Sequence, residues 1–201
     1  MNENVKIWGL GIGPGDPELI TLKALGILQA ADVVAYPAQN VYDKGASEIS
    51  AAVESGKTVA VLCEGDPFFY GSFMYLFVRL SESYPVQVIP GVTSLAACSA
   101  ELALPLAARN DVVSVIPGTI DAAAMEQQLM AANTAAIIKV GRHLGKIKNV
   151  LKKIGATGEA YYIERATMEN QRIVPLCDLD DESAPYFSMI IVRRSGEILD
   201  L

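Results

Sequence analysis

Histidine is almost absent from this chain, since His143 is the only one among 201 residues. A Ser-His-Asp or Cys-His mechanism, or a histidine-rich metal site, therefore has almost no material to work with. The three cysteines, Cys63, Cys98 and Cys177, have no CxxC or Cys/His spacing and each sits among apolar residues. This pattern predicts reduced packing residues and no metal site.

Long apolar runs and a strong basic patch are also missing. No run approaches the roughly 18 apolar residues of a membrane span, and the start, MNENVKIWG, lacks a signal-peptide pattern. We therefore expect a cytoplasmic protein with no membrane partner. The net charge is −7, and the one basic stripe, GKIKNVLKKIG, places lysines between apolar residues at helical spacing. That is typical of the solvated face of a core-packed helix, so no nucleic-acid partner is expected.

The first half of the chain repeats a strand, a loop and a helix. Apolar strands are predicted at VKIWGLG, DVVAYP, TVAVLCEGD and VQVIPG, each with a helical segment behind it. This alternation predicts an α/β fold with a parallel sheet covered on both faces. After PLAARND the pattern restarts at VVSVIPG and ends in segments typical of antiparallel strands. We predict two α/β domains, residues 1–109 and residues 110–201, the second with a mixed sheet.

Three of the predicted strands end in loops rich in glycine and proline, GIGPGD, EGDP and IPGVTS. These loops should meet at the carboxyl edge of the sheet, where α/β proteins bind ligands. The first loop does not fit the dinucleotide motif GxGxxG, because the third glycine falls on Pro14 or Asp16. Asp16, the predicted N-cap of a helix that starts at Pro17, also opposes a phosphate there. A classical NAD or ATP site is therefore disfavoured.

The loop after the third strand carries two carboxylates and three aromatic side chains. Glu64 and Asp66 can accept hydrogen bonds from ribose hydroxyls or an amine, and Phe68, Phe69 and Tyr70 can supply apolar walls. The loops together predict a ligand with a polar, partly cationic end and a flat, adenine-like part. The alternative, in which Asp66 only caps a helix and the aromatic rings only fill the core, stays open.

Several long motifs resemble the tetrapyrrole methylases, in the order in which that family has them. They are GLGIGPGDPELITLKALGILQAADVVAYP, GDPFFYGSFMYL, PGVTSLAACSAELALPL, IERATMENQR and APYFSMIIV. The resemblance covers nearly the whole chain and implies an S-adenosylmethionine-dependent enzyme of cobalamin or siroheme synthesis. It also implies two α/β domains with the methyl donor in the cleft between them, and a homodimer.

Within that family, three stretches look most like the members that methylate precorrin-2 at C-20. They are EGDPFFYGSFMYL, LAARNDVVSVIPGT and ERATMENQR. The resemblance is stronger to the enzymes that act on the metal-free substrate than to the cobalt-dependent branch. Cobalt-precorrin-2 and methylation at another ring carbon are the alternatives, and a nucleotide-binding oxidoreductase or a non-catalytic donor-binding regulator are hypotheses from other classes.

The resemblance also implies which residues bind S-adenosylmethionine and the product S-adenosylhomocysteine. These are Pro14, Glu64, Gly65, Asp66, Phe69, Thr93, Ser94, Val140 and Ala166. Two of them depart from the family pattern, because Glu64 replaces a glycine and Val140 replaces a methionine.

Two further sets of residues follow from the chemistry that the resemblance implies. A proton must leave the methylated substrate, and the candidate acceptors are Asp16, Glu64 or water, with capping as the alternative role of Asp16. The substrate carries many carboxylates, so a local basic cluster must offset the acidic net charge. The candidates are Arg109, Lys139, Arg142, Arg165 and Arg172, with ordinary surface ion pairs as the alternative.

One departure from these relatives is larger. We expect a sizeable segment between ADVVAYP and the next helix, whereas Pro37 is followed almost at once by AQNVYDKGASEISAAV. Either the enzyme is shortened beside its substrate cleft, or the sequence joins across disordered residues that it leaves out. We favour the second hypothesis, because loops that line a cleft are often mobile without ligand.

Overall fold

The computed structural model describes residues 5–36 and 42–194 of the chain. These residues form two compact units that divide between Ser94 and Leu95. The sequence placed this boundary later, near residue 109. Pro37 and the first residues after it, where a segment was expected to be missing, lie outside the described residues.

The N-terminal unit is built on a four-stranded parallel sheet with the order β2-β3-β1-β4. Its strands are β1 Ile7–Gly11, β2 Val33–Ala35, β3 Val59–Cys63 and β4 Val86–Ile89. Its helices are α1 Leu22–Ala30, α2 Tyr42–Glu54 and α3 Phe73–Leu80. The predicted parallel sheet is confirmed.

Apolar residues of this sheet are buried on both of its faces. On one face Ile7 and Val61 pack with Phe73 of α3, and on the other Leu10 and Ala60 pack with Ile27 of α1. Neighbouring residues of one strand thus enter different cores, which is why these strands are continuously apolar.

Two predicted helices start later than the sequence suggested. Asp16 does cap, and Pro17 does occupy the first helical position, but they open a single 3₁₀ turn, Pro17–Leu19. The α-helix starts again after Thr21, whose hydroxyl accepts from the Ala24 N–H at 3.1 Å. Likewise α3 starts at Phe73 and not behind Pro67, because Tyr70 has a φ of +57°, outside the helical region.

The C-terminal unit contains a five-stranded mixed sheet with the order β5-β6-β9-β7-β8. Its strands are β5 Val113–Pro117, β6 Thr134–Ile138, β7 Ala160–Glu164, β8 Arg172–Pro175 and β9 Ser188–Arg193. Its helices are α4 Ser94–Glu101, α5 Ala122–Ala131 and α6 Leu144–Lys153, with 3₁₀ turns at Gly141–His143, Thr157–Glu159 and Leu176–Asp178. Only β5 and β6 pair in parallel, so the predicted antiparallel end of the chain is confirmed.

The helix α4 explains why the units divide earlier than predicted. Its apolar stripe, Leu95 and Cys98, continues into Leu102 and packs on Ile163 and Ile191 of the second sheet. The opposite face of that sheet is covered by α5 and α6. The sheet therefore needs α4 to bury its second face, and the predicted fold class of two α/β units is confirmed.

The lysine-bearing helix α6 is packed as the sequence predicted, with Ile147 and Leu151 fully buried. The ammonium groups of Lys146 and Lys148 donate to the carbonyls of Ile120 and Leu179. Among the described residues, no helix is long and apolar enough to cross a membrane.

Candidate functional site

The three glycine-rich loops of the N-terminal unit meet at the carboxyl edge of its sheet, as predicted. Gly65 donates its N–H to the carbonyl of Gly13 at 2.8 Å, which joins the loops after β3 and β1. A Cβ on Gly11 would lie 2.4 Å from the Gly91 nitrogen and 2.7 Å from the Gly65 carbonyl oxygen. The loops approach so closely that Gly11 has no room for a side chain.

Asp66 holds two of these loops together. One carboxylate oxygen accepts the Gly91 N–H at 3.0 Å, and the other accepts the Phe68 N–H at 2.9 Å. The helix that follows has Ser72 at its N-cap position, so Asp66 does not cap α3. Each carboxylate oxygen has a further lone pair, so Asp66 can fix the loops and still accept from a ligand hydroxyl.

Glu64 is exposed at the same edge, directly after β3, and it has a partner that the sequence did not predict. The hydroxyl of Tyr36, the first residue after β2, donates to Glu64 Oε1 at 2.6 Å. Each residue directly follows one of two neighbouring parallel strands. The rule that parallel strands place their carboxyl ends at one edge of the sheet therefore also applies to Tyr36. The bond fixes the direction of one exposed carboxylate.

The other predicted donor-binding residues of this unit lie within the same three loops or directly after them. Pro14 and Thr93 are half-buried, and Ser94 is exposed at the first position of α4. Phe69 is half-buried with its ring edge-to-face against Tyr70, at a centroid separation of 5.3 Å. Asp16 accepts the Glu18 N–H at 2.8 Å, so the capping role that the sequence left open is present.

The remaining predicted donor-binding residues, Val140 and Ala166, belong to the C-terminal unit. Val140 is fully buried and Ala166 is nearly so, each within a core of that unit. Both follow strands, β6 and β7, at the carboxyl end.

The backbone at this end of the second sheet is unusual. Lys139, Arg165 and Thr167 have φ values of +55°, +51° and +69°. Residues other than glycine rarely adopt positive φ values. Residues that are held in this backbone conformation cluster at functional sites. This strain supports a functional role for the end of the sheet that carries Val140 and Ala166.

The predicted basic residues lie mostly at this end. Lys139 directly follows β6, Arg165 directly follows β7, and Arg172 pairs with Glu164 in the register of β7 and β8. Arg142 follows in the 3₁₀ turn after Val140. Arg109 lies at the opposite end of the sheet. Its neighbour Ala108 donates its N–H to the Asp111 carboxylate, which also accepts from Arg193, and Arg193 pairs with the first residue of β6.

Arg172 and Arg165 form ion pairs, as the alternative hypothesis allowed. Arg172 contacts Asp181 at 2.8 Å, and Arg165 contacts Glu164 at 2.7 Å. Glu164 is buried and also accepts from the Tyr162 hydroxyl at 2.5 Å. Burial and this bond raise the pKa of Tyr162, so the phenol stays protonated and continues to donate.

The described residues hold no group of three or more His, Cys, Asp or Glu that could bind a metal ion. The single histidine lies in basic surroundings. Partial desolvation, followed by the charges of Lys146 and Arg142, lowers the pKa of His143, so its ring is neutral at pH 7.

A cavity of about 460 Å³ lies in the N-terminal unit between the edge strand β2 and the helix α2. Its lining includes Tyr36, Tyr42 and Glu48. The predicted donor-binding residues of the described chain are not among the residues that line it.

A family model described as Tetrapyrrole (Corrin/Porphyrin) Methylases matches residues 6–180. The chain belongs to this family. The family membership and the methyltransferase class expected from the sequence motifs are confirmed.

Two curated relatives show where in the family the chain is similar. Over 231 aligned positions it is 38% identical to the precorrin-2 C(20)-methyltransferase of Sinorhizobium sp, covering 93% of this chain and 94% of that protein. It is 28% identical to the cobalt-precorrin-2 C(20)-methyltransferase of Salmonella typhimurium, covering 96% and 98%. The first alignment is longer than the 201-residue chain itself, so that relative contains residues that this chain lacks.

Solved structures of the family share the fold. The cobalt precorrin-4 methyltransferase CbiF superposes with a TM-score of 0.77 at 23% identity, covering 96% of both chains. The uroporphyrin-III C-methyltransferase of Thermus thermophilus, solved with S-adenosylhomocysteine, has a TM-score of 0.74 at 24% identity and covers 97% and 99%.

Proposed function

We propose that this chain transfers the methyl group of S-adenosylmethionine to C-20 of precorrin-2, giving precorrin-3A in corrin biosynthesis. The observation that carries the proposal is the 38% identity to a precorrin-2 C(20)-methyltransferase over 94% of that relative's length. Cobalt-precorrin-2 is the second candidate substrate, and the 28% identity to the Salmonella typhimurium enzyme favours it less.

The loops of the N-terminal unit fit S-adenosylmethionine better than a phosphate ligand. Glu64 is exposed and held by Tyr36, and the half-buried Asp66 is held by backbone N–H groups, so the loops present two carboxylates at this edge. Carboxylates accept from ribose hydroxyls and an amine and favour a nearby sulfonium, whereas they repel phosphate. The absence of Cβ atoms at Gly11 and Gly91 lets the loops approach each other closely, which brings their backbone groups together at this edge.

The methyl donor carries its own activation, because the positive sulfonium makes sulfur a good leaving group. The chain therefore has to align the two substrates, which can supply several kcal/mol of barrier reduction through proximity. Pro14, Glu64, Gly65, Asp66 and Phe69 are the proposed donor-binding residues of the first unit, with Thr93 and Ser94. Val140 and Ala166 stay predictions for the second unit, and their burial favours contact through backbone atoms.

The reaction also releases a proton from the substrate. Glu64 is the proposed acceptor within the chain, because its carboxylate is exposed at the ligand edge with one oxygen oriented by Tyr36. Asp16 is engaged as a cap, which makes it the weaker candidate.

Lys139, Arg142, Arg165 and Arg172 are proposed to receive carboxylates of the tetrapyrrole, since they gather at one end of the second sheet. The homodimer implied by the family resemblance and the cytoplasmic location expected from the sequence stay predictions. Sedimentation velocity would test the first, and a sedimenting mass of one chain would contradict it.

Turnover tests the proposed function. Purified protein is incubated anaerobically with precorrin-2 and S-adenosylmethionine, and the products are analysed by mass spectrometry. We expect one added methyl group per tetrapyrrole and one S-adenosylhomocysteine per methyl transferred. Cobalt-precorrin-2 is assayed in parallel, and a higher kcat/KM for it would favour the second candidate. Donor binding by calorimetry without turnover of either substrate would contradict the proposal and favour the regulator hypothesis.

A further inference from the structure

A tight turn before β9 lies at the strained end of the second sheet and is fixed on both sides. The Ala184 N–H donates to the Gly141 carbonyl at 3.1 Å, and the Arg165 N–H donates to the Phe187 carbonyl at 2.9 Å. Within the turn, Ser188 Oγ donates to the Pro185 carbonyl at 2.7 Å. The turn thus spans from the end of β6 to the end of β7 and is held by its own hydrogen bonds.

This fixed turn exposes two aromatic side chains. Tyr186 is 76% exposed and Phe187 39% exposed, and their rings meet edge-to-face at a centroid separation of 5.0 Å. Because the backbone of the turn is fixed by these bonds, binding to the pair requires less ordering of the chain than binding to a flexible loop would. Exposed aromatic rings can contact a conjugated ligand ring by offset stacking or edge-to-face packing.

Cationic groups flank the same turn. Arg165 is bonded to the turn through its backbone, and its guanidinium is oriented by the 2.7 Å contact with Glu164 while retaining further N–H donors. Lys139, exposed, follows β6 two residues before Gly141, to which the turn is also bonded. Because the two rings are nearly perpendicular, one can offer its face and the other its edge to a flat ligand, and the cations beside them match carboxylates around that ligand's edge.

We propose that Tyr186 and Phe187 form the surface on which the tetrapyrrole ring system packs, with Lys139 and Arg165 receiving its peripheral carboxylates. This inference rests on the proposed function and identifies residues that determine the binding of the second substrate. The aromatic pair was not among the substrate-binding residues predicted from the sequence.

Kinetics of Tyr186 variants test the inference. Tyr186→Ala should raise the KM for precorrin-2 by about three- to tenfold, the range expected for loss of one aromatic contact. The KM for S-adenosylmethionine should stay unchanged. Tyr186→Phe keeps the ring and should stay within about twofold of wild type. Val112→Ala is the matched control, because Val112 is also exposed but lies beside the first residue of β5, at the other end of the sheet.

An unchanged KM for precorrin-2 in Tyr186→Ala would overturn the inference while wild-type turnover leaves the proposed function standing. A variant that sediments as a smaller species than wild type would also overturn it, because the pair would then be a subunit contact. If wild type does not methylate precorrin-2, the proposed function fails and a binding titration decides the inference. The titration uses sirohydrochlorin, a stable carboxylated tetrapyrrole: weaker binding by Tyr186→Ala supports the surface, and equal or absent binding in both proteins overturns it.

Discussion

The carboxylate of Asp66 accepts the backbone N–H of Gly91 at 3.0 Å, across the end of the strand that separates their two loops. In the sheet order, β1 lies between β3 and β4, and its last residue is Gly11. A side chain at Gly11 would collide with Gly91 and with the Gly65 carbonyl. The bond and the missing Cβ atoms therefore belong to one arrangement, in which three loops close on each other at the ligand edge.

Replacement of Asp66 tests that arrangement. In Asp66→Asn, the amide NH₂ must face one of the two N–H groups that the carboxylate now accepts. We expect a loss of about 1–3 kcal/mol in the free energy of unfolding, measured by urea denaturation. We also expect weaker S-adenosylmethionine binding by calorimetry. Asp180→Asn, at an exposed position, is the control, and equal behaviour of the two variants would contradict the bridging role.

Glycine-to-alanine substitutions test whether the close packing of the loops depends on glycine at Gly91. Gly91→Ala places a Cβ 2.1 Å from the Gly65 carbonyl oxygen, so the loops must separate. We expect destabilisation by about 1–3 kcal/mol and a loss of donor binding. Gly26→Ala in α1 meets nothing within 4 Å and should leave stability unchanged or raise it by up to about 1 kcal/mol. Donor binding retained in Gly91→Ala would show that the close approach is not needed.

A double-mutant cycle tests whether Tyr36 acts through Glu64. Tyr36→Phe removes the hydroxyl that donates at 2.6 Å and leaves the exposed ring in place. We expect Tyr36→Phe and Glu64→Gln each to raise the KM for S-adenosylmethionine by about three- to tenfold. The double variant should be no worse than Glu64→Gln alone. Additive effects would mean that the two side chains act separately. Tyr75→Phe, at another exposed tyrosine, controls for loss of a surface hydroxyl.

Asp16→Asn distinguishes a cap from a base. Asparagine is also a good N-cap, so the turn at Pro17–Leu19 should persist and thermal stability should stay unchanged. Because Asp16 is engaged as a cap, we expect kcat within about twofold of wild type. A fall in kcat of more than tenfold with unchanged stability would restore Asp16 as the proton acceptor.

Thiol reactivity tests the packing of the cysteines. Burial raises the pKa of Cys98 to about 12 and also raises that of Cys63. The reactive form is the thiolate, which for these thiols is populated only as the pH rises towards the raised pKa. Cys177 is exposed. At pH 8 an aromatic disulfide reagent should titrate one thiol per native chain and three after denaturation. A second fast thiol, or reactivity that persists in Cys177→Ser, would contradict this assignment.

Much of the ligand edge could be predicted from the sequence because parallel strands gather their carboxyl ends. That rule placed Glu64 and Asp66 beside the other glycine loops without any knowledge of contacts. The same rule applies to Tyr36, which was missed because its strand ends in AYP and not in one of the glycine-rich loops that the sequence analysis compared. The spacing of glycines in the sequence also could not show that Gly11 and Gly91 must lack side chains for their loops to approach each other. That requirement appears only when both loops are in place.

The errors at element boundaries have local and tertiary causes. The backbone of Tyr70 is left-handed, and a Cβ on Gly71 would meet the Asp66 and Pro67 carbonyls at 2.7 Å, so the chain turns before α3 starts. The sequence predicts the apolar stripe of α4, but the stripe alone does not indicate which of the two sheets the helix covers. Leu95 and Cys98 pack on the second sheet, and this moves the division between the units to residue 94.

The most direct test of the account is the position of the transferred methyl group. The protein is incubated with precorrin-2 and S-adenosylmethionine carrying a ¹³C-labelled methyl group, and the product is analysed by NMR. We expect one labelled methyl, bonded to C-20. A label on any other ring carbon would contradict the assigned reaction and make the chain a sister methylase of the same family.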